Sequence, residues 1–167
     1  MDSKKLDNLI VQFMNGNDLA FDEIYYETKK SVYLSIKLIV NRSEDVEDLM
    51  QDTYLKALEK LDTYKLGTNF NAWISKIARN MAINFYNKAK RIVYDEEVVY
   101  SEASHESKLD YYLSFLEGLE RDIVIYKIIL NMSYKEISNI IDKPISTIHD
   151  IYKRAIKRIK NEVKDES

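Results

Sequence analysis

Cysteine is missing from the 167 residues, proline occurs once and glycine three times. Without thiols there is no disulfide framework, no thiolate metal site and no sulfur nucleophile. So little glycine and proline leaves few tight turns to build, which favours an all-α chain with short connections. No apolar run is long enough to span a bilayer, and the opening MDSKKLDNLIVQF has neither a long apolar core nor a cleavage signal. A cytoplasmic protein without membrane insertion is the expectation. The two histidines, His105 and His149, stand far apart in sequence, so no paired-histidine metal site is expected. Asp48 and Asp52 lie one helical turn apart, but no histidine accompanies them. A glycine-rich phosphate loop is also missing. No catalytic residue, metal site or cofactor is therefore expected, and the chain does not read as an enzyme.

What is present is charge, and its signs are segregated. The net charge of −3 argues against a nucleic-acid binder only on average. Residues 44–52 are dominated by acids, whereas 75–94 contain none and carry Lys76, Arg79, Lys88, Lys90 and Arg91. Residues 95–110 are acidic again, and 151–160 hold Lys153, Arg154, Lys157, Arg158 and Lys160 with no acid. Basic blocks of this kind are the footprint of a phosphate-binding surface, and solvated helix faces are the bland alternative.

Apolar residues recur at helical spacing over 6–13 and 21–40, broken at Asn15-Gly16-Asn17. Ser43 is expected to cap a following helix, helped by Glu44, Asp45 and Glu47. In that helix Val46, Leu49, Met50, Tyr54, Ala57, Leu58 and Leu61 form the inward stripe. Asp48, Gln51, Asp52, Leu55 and Glu59 form the opposite one. A leucine ringed by carboxylates resembles a partner-binding patch, although single exposed leucines are common. A polar loop follows, and Thr68 or Asn69 can cap the next helix. There Phe70, Trp73, Ile74, Ile77, Ala78, Met81, Ala82 and Phe85 point inward, and Lys76, Arg79, Asn80, Asn84, Asn87, Lys88 and Arg91 point outward. Lys, Arg and Asn are the side chains that contact phosphates and base edges. Trp73 invites a stacking role, but its spacing places it in the core.

Helical periodicity fades over 93–108, which reads as an acidic linker between a domain at 1–92 and a second at 109–167. Residues 111–130 are apolar and helical, and Asn131-Met132 is a turn. Ser133 and Glu136 fit a capping box. A short helix then runs to about Ile141, Asp142-Lys143-Pro144-Ile145 is a turn, and Ser146 is expected to cap a final helix from Thr147 to about Val163. A short helix, a tight turn and a longer basic helix is the sequence form of a helix-turn-helix. An ordinary helical hairpin is the alternative, and the basic run from Lys153 favours the DNA-binding form.

These segments resemble a known family. Residues 45–58, DVEDLMQDTYLKAL, are similar to the polymerase-binding helix of sigma factors. Asn69-Phe70-Asn71-Ala72-Trp73-Ile74 and Ile77-Ala78-Arg79-Asn80 are similar to the promoter-reading helix of the same domain. Order, spacing and the intervening loop resemble the extracytoplasmic-function (ECF) group of the sigma-70 family. Residues 116–119, 132–137, and Ser146-Thr147-Ile148 with Arg154-Ala155 resemble that group's second conserved domain. There are departures. The group usually has Leu-Pro where Leu119-Glu120 stands here. It usually has Gly-Thr-Val followed by Lys, Ser and Arg where this chain has Ser146-Thr147-Ile148 followed by His149-Asp150-Ile151.

The resemblance implies two small helical domains, a region 2-like bundle and a region 4-like helix-turn-helix, in a factor that carries core RNA polymerase to promoter DNA. Asp48, Gln51, Asp52, Leu55 and Glu59 would dock on the polymerase. Lys65, Thr68, Asn69, Lys76, Arg79, Asn80, Asn84, Asn87, Lys88, Lys90 and Arg91 would serve the minus-ten element. The loop from Lys65 to Asn69 would wall a pocket for an unstacked base, with Gly67 allowing close backbone approach. Ser133, Ser146, Thr147, His149, Asp150, Lys153, Arg154, Lys157 and Arg158 would serve the minus-thirty-five element. Asp150 repels phosphate but could accept from a cytosine amino group. Relatives are often held inactive by an anti-sigma factor, so one is an expected partner. The rival readings are a stand-alone helix-turn-helix regulator and a degenerate sigma-like regulator that does not initiate.

Overall fold

The computed structural model describes residues 3–92 and 108–165. Among these every regular element is helical, and the chain divides into two compact units, Met1–Ile92 and Val93–Ser167. The expected linker at 93–108 lies, but for Lys108, outside the described residues.

The first unit is built from α1 (Ser3–Met14), α2 (Leu19–Lys37), α3 (Ser43–Glu59) and α4 (Phe70–Ile92), with a single 3₁₀ turn at Leu61–Thr63. Gly16, at φ +92°, turns the chain between α1 and α2. Helix α3 starts one residue earlier than Ser43 would set as a cap. Arg42 holds the cap position in extended conformation, and Glu44 and Asp45 sit in the first turn near the positive end of the helix. Asn69 caps α4: its Oδ1 accepts from the Ala72 amide at 3.2 Å and its carbonyl from the Trp73 amide at 3.1 Å.

One core joins the four helices. Leu6, Leu9 and Ile10 come from α1, Ile24, Val32 and Ile36 from α2, Val46, Leu49, Tyr54 and Ala57 from α3, and Phe70, Ile74, Ala78 and Ala82 from α4. Each large aliphatic side chain buried this way contributes about 1.5–3 kcal/mol relative to exposure. Trp73 packs partly buried against this core, stacked on Phe70 at 5.2 Å between ring centroids. Leu58, expected inward, is instead 37% exposed, because it sits where the inward stripe of α3 runs out near its C-terminus.

Polar side chains are also buried on α2 and α4, and Ser31 and Asn71 join the two helices. Thr28, Ser31 and Ser35 of α2 and Asn71 and Ser75 of α4 are all buried. The Thr28 and Ser35 hydroxyls donate to the carbonyls one turn back, at 2.7 Å each, and Ser31 donates to Asn71 Oδ1 at 2.7 Å. Small side chains let the helices pack closely, and the Thr28, Ser31 and Ser35 hydroxyls are satisfied there, whereas the buried Ser75 hydroxyl has no hydrogen-bond partner among the described residues.

The second unit contains α5 (Lys108–Ser114), α6 (Gly118–Val124), a π-helical turn (Ile125–Ile129), α7 (Tyr134–Ile141) and α8 (Ile145–Asp165). The long helical stretch expected over 111–130 is thus interrupted at residues 115–117, just before Gly118, which takes φ +52°. Its core is Leu113, Leu116, Ile123, Val124, Ile125, Tyr126, Met132, Ile137, Ile140, Ile148, Ile151 and Ala155. The capping box forms as read: the Ser133 hydroxyl accepts from the Glu136 amide at 3.2 Å, and the Glu136 carboxylate accepts from the Ser133 amide at 2.7 Å. Asp142, left-handed at φ +57°, ends α7. Helix α8 then begins at Ile145, with the Ile148 amide donating to the Pro144 carbonyl at 3.0 Å. Ser146 therefore lies inside the first turn and is not the cap, because proline already presets the helical entry. No described helix is long and apolar enough to cross a membrane.

Candidate functional site

Three surfaces collect the residues singled out in the sequence. The first is the outward face of α3. Val46, Leu49, Thr53, Tyr54 and Ala57 turn inward at helical spacing, so Asp48, Gln51, Asp52, Leu55 and Glu59 all reach solvent. Leu55 is 61% exposed among them. Glu59 is engaged within its own helix, accepting from Lys56 Nζ at 2.6 Å, and that contact holds its carboxyl below the usual glutamate range. Asp48, Gln51 and Asp52 keep their side chains outward, so this face presents acids around one large apolar side chain.

The second surface is α4 with the loop before it. Asn80, Asn84, Asn87, Lys88 and Lys90 are exposed and Lys76 is half-buried. The Arg91 side chain lies outside the described residues. Ile83 and Tyr86, not singled out in the sequence, are exposed in the same stretch. Arg79 requires a correction. It is only 8% exposed and does not join the outward face. Asn71, Ser75 and Arg79 stand at successive four-residue steps and are all buried, with Asn71 meeting Ser31 of α2. The helix buries a wider arc than its apolar stripe marks, because this row is polar and hydropathy cannot flag it.

In the loop, Lys65 and Thr68 are exposed and Asn69 is half-buried as the cap of α4. The Thr68 hydroxyl donates to the Lys65 carbonyl at 2.6 Å. Gly67 has φ +84°, and a Cβ built there would meet nothing within 4 Å. Backbone conformation, not crowding within the chain, demands the glycine. A residue the sequence reading missed anchors this loop. Asp7 of α1 accepts from the Tyr64 hydroxyl and from the Gly67 amide, each at 2.8 Å. The Thr68 carbonyl is a second acceptor 2.8 Å from the same hydroxyl. Burial, then the neighbouring Asp7 carboxylate, pushes the Tyr64 phenol well above its ordinary pKa. The only local sign of Asp7 is an acid on the inward side of α1 beside Leu6, Leu9 and Ile10.

The third surface is α8. Ile148, Ile151 and Ala155 face the core, which turns Ser146, Asp150, Lys153, Arg154 and Lys157 to solvent. Thr147 and His149 are half-buried. His149 meets the Tyr134 ring edge-on at 5.1 Å, and Tyr152 meets the same ring at 5.8 Å, which ties α8 to the start of α7. Arg158 pairs with Glu120 at 3.4 Å. The Ser133 oxygen is committed to its capping box. Among the described residues no cluster of His, Asp or Glu could hold a metal ion.

Residues 23–92, from within α2 to the end of α4, match sigma-70 region 2. Across 93% of its length the chain is 24% identical to the ECF RNA polymerase sigma factor SigW of Bacillus subtilis (strain 168), covering 95% of that protein. It is 25% identical to the ECF RNA polymerase sigma-E factor of Escherichia coli (strain K12), over 93% of this chain and 92% of the relative. Among solved structures it is similar to the sigma factor RpoE of Bartonella quintana, crystallised with the anti-sigma factor NepR. That match has a TM-score of 0.67 and 25% identity, and covers 86% of this chain and 96% of that one. CnrH, solved in complex with the cytosolic domain of CnrY, shares the fold, with a TM-score of 0.69 at 20% identity over 99% of this chain and all of that one. The two helical units, the region 2 match over residues 23–92 and the likeness along nearly the whole chain agree: the chain is similar to the extracytoplasmic-function sigma factors of the sigma-70 family, and residues 23–92 match that family's region 2.

Proposed function

We propose that this chain binds core RNA polymerase through the outward face of α3 and directs it to promoters. In this reading the loop 65–69 and the outward face of α4 serve the minus-ten element, and α8 serves the minus-thirty-five element. The observation that carries it is the joint exposure of Asp48, Gln51, Asp52 and Leu55 on one face of α3. Carboxylates there complement a basic partner and steer its approach, and Leu55 adds apolar contact. The exposed Asn80, Asn84, Asn87, Lys88 and Lys90 give α4 amides for base edges and cations for phosphates. Opening a duplex costs a few kcal/mol per unstacked base, and capture of that base by the loop would offset it.

On α8 the outward residues at the start, Ser146 and Asp150, stand where a recognition helix meets base edges, with Lys153, Arg154 and Lys157 behind them for phosphates. Asp150 selects against phosphate contact at its own position and for a base offering an amino group. Like the similar RpoE of Bartonella quintana, solved with an anti-sigma factor, the chain is read as a target of an anti-sigma factor. It is a regulatory factor, with any nucleotide chemistry belonging to the polymerase. Run-off transcription over a genomic library with purified core polymerase tests this reading. Specific transcripts that require the chain support it. Tight DNA binding without any capture of core polymerase would instead identify a stand-alone regulator.

A further inference from the structure

We propose that Asp7 is a positioning residue that sets the shape of the loop 65–69, and through it the base selectivity of the minus-ten surface. The inference rests on the reading of that loop as a base-capturing element and adds to it a remote residue that holds the pocket ready.

The geometry is a clasp made by one carboxylate. Asp7 Oδ1 accepts from the Tyr64 hydroxyl and Oδ2 from the Gly67 amide, each at 2.8 Å. A carboxylate only accepts, so its two oxygens can hold two donors on either side of a turn. The loop is thereby fixed at Tyr64, its entry, and at Gly67, its left-handed position. The Tyr64 hydroxyl carries one hydrogen and has two acceptors, Asp7 and the Thr68 carbonyl, both at 2.8 Å. That hydrogen lies between helix α1 and the loop's own backbone. The clasp is also separate from the packing of α1, which is held by buried Leu6, Leu9 and Ile10 and by the Lys5–Glu27 pair at 2.6 Å. Removing Asp7 therefore frees the loop while leaving its helix in place. The side chains around the clasp, Lys65, Leu66 and Thr68, are exposed, so the loop's free surface is available to a ligand. A loop already in its binding shape loses less conformational entropy on capture, and a fixed shape discriminates between bases that a loose one accepts alike.

The test uses the full-length protein in two arms. In the first, amide hydrogen exchange at Gly67 is compared in the wild type, Asp7→Ala, Asp7→Asn and Tyr64→Phe. Exchange is expected to be about tenfold faster in Asp7→Ala, where both charge-assisted bonds are lost, and intermediate in the other two, which each keep one arm. In the second, complexes with core polymerase select from a single-stranded DNA library with a randomised window. The wild type enriches a preferred base, and Asp7→Ala binds about tenfold more weakly with a flattened base profile. Its affinity for core polymerase stays unchanged, and Asp7→Asn restores part of the profile. An Asp7→Ala protein with wild-type enrichment and affinity overturns the role of Asp7 while leaving the minus-ten reading standing. A wild-type complex that enriches no sequence overturns the minus-ten reading, and this role with it, whatever Gly67 does. Unchanged Gly67 exchange in Asp7→Ala overturns the clasp itself.

Discussion

Tyr54 shows how burial acts on a single group. Its hydroxyl lies 2.8 Å from the Thr28 hydroxyl in the middle of the first unit, and burial pushes its pKa up from 10.0 to about 12, against a smaller opposing effect of the Thr28 hydrogen bond. Between these values the unfolded chain has released the phenolic proton and the folded chain has kept it. The unfolded state then binds fewer protons, so stability falls as pH rises through this window, by about 1.4 kcal/mol per pH unit. Below pH 10 the contribution is fully present. Urea unfolding at pH 9, 10 and 11 is expected to show a smaller loss for Tyr54→Phe than for the wild type. Equal slopes would mean that Tyr54 ionises in the folded state as freely as in the unfolded one. Arg79 teaches a related lesson. A charged residue in a basic block reads as surface, yet Arg79 lies in the row of Asn71 and Ser75, and no hydropathy pattern distinguishes an outward cation from a buried one.

At the scale of the element, α3 and α4 carry the predictions that bear on binding. Asp52 is exposed and makes no part of the core, so Asp52→Lys is expected to leave thermal unfolding within about 0.5 kcal/mol of the wild type. The same change places a cation in the centre of the acidic face and is expected to abolish capture of core polymerase in a pull-down. Unchanged capture would count against the docking face. On α4, neutralising Lys88, Lys90 and Arg91 together is expected to weaken promoter binding and to lower its salt slope by up to about 3. A slope equal to the wild type's would remove these cations from the contact with DNA. Much of this was legible because α3, α4 and α8 are amphipathic, and a 3.6-residue period exposes one face once it buries the other. The Ser133–Glu136 capping box was equally legible, and the α4 cap was narrowed to Thr68 or Asn69, since both act within four residues of sequence. What escaped the sequence is nonlocal or backbone-driven. Asp7 meets Tyr64 and Gly67 across the fold of the first unit. The break just before Gly118 and the π-helical turn at Ile125–Ile129 interrupt a stretch whose apolar content alone predicts a continuous helix.

For the whole molecule, two compact units with separate cores set the expectation for unfolding. The single tryptophan, Trp73, lies in the first unit. Its fluorescence therefore reports that unit alone, whereas far-ultraviolet circular dichroism reports the helices of both. Ile137 is fully buried in the second unit, and Ile137→Ala is expected to destabilise that unit by about 2–5 kcal/mol. Denaturant titrations should then show part of the dichroism lost before the tryptophan signal moves. Coincident shifts in both signals would mean that the units unfold as one cooperative body.

The pegged contact of Ser31 with Asn71 reaches beyond stability. An oily joint tolerates sliding, because one methyl serves nearly as well as the next. A directional bond does not: displacing α4 by one turn would strand both partners in the dry interior. The seam thus works as an index mark, holding the outward residues of α4 at one fixed offset within the bundle. In the proposed role, gripping the enzyme by α3 would then dictate the phase at which α4 meets the template.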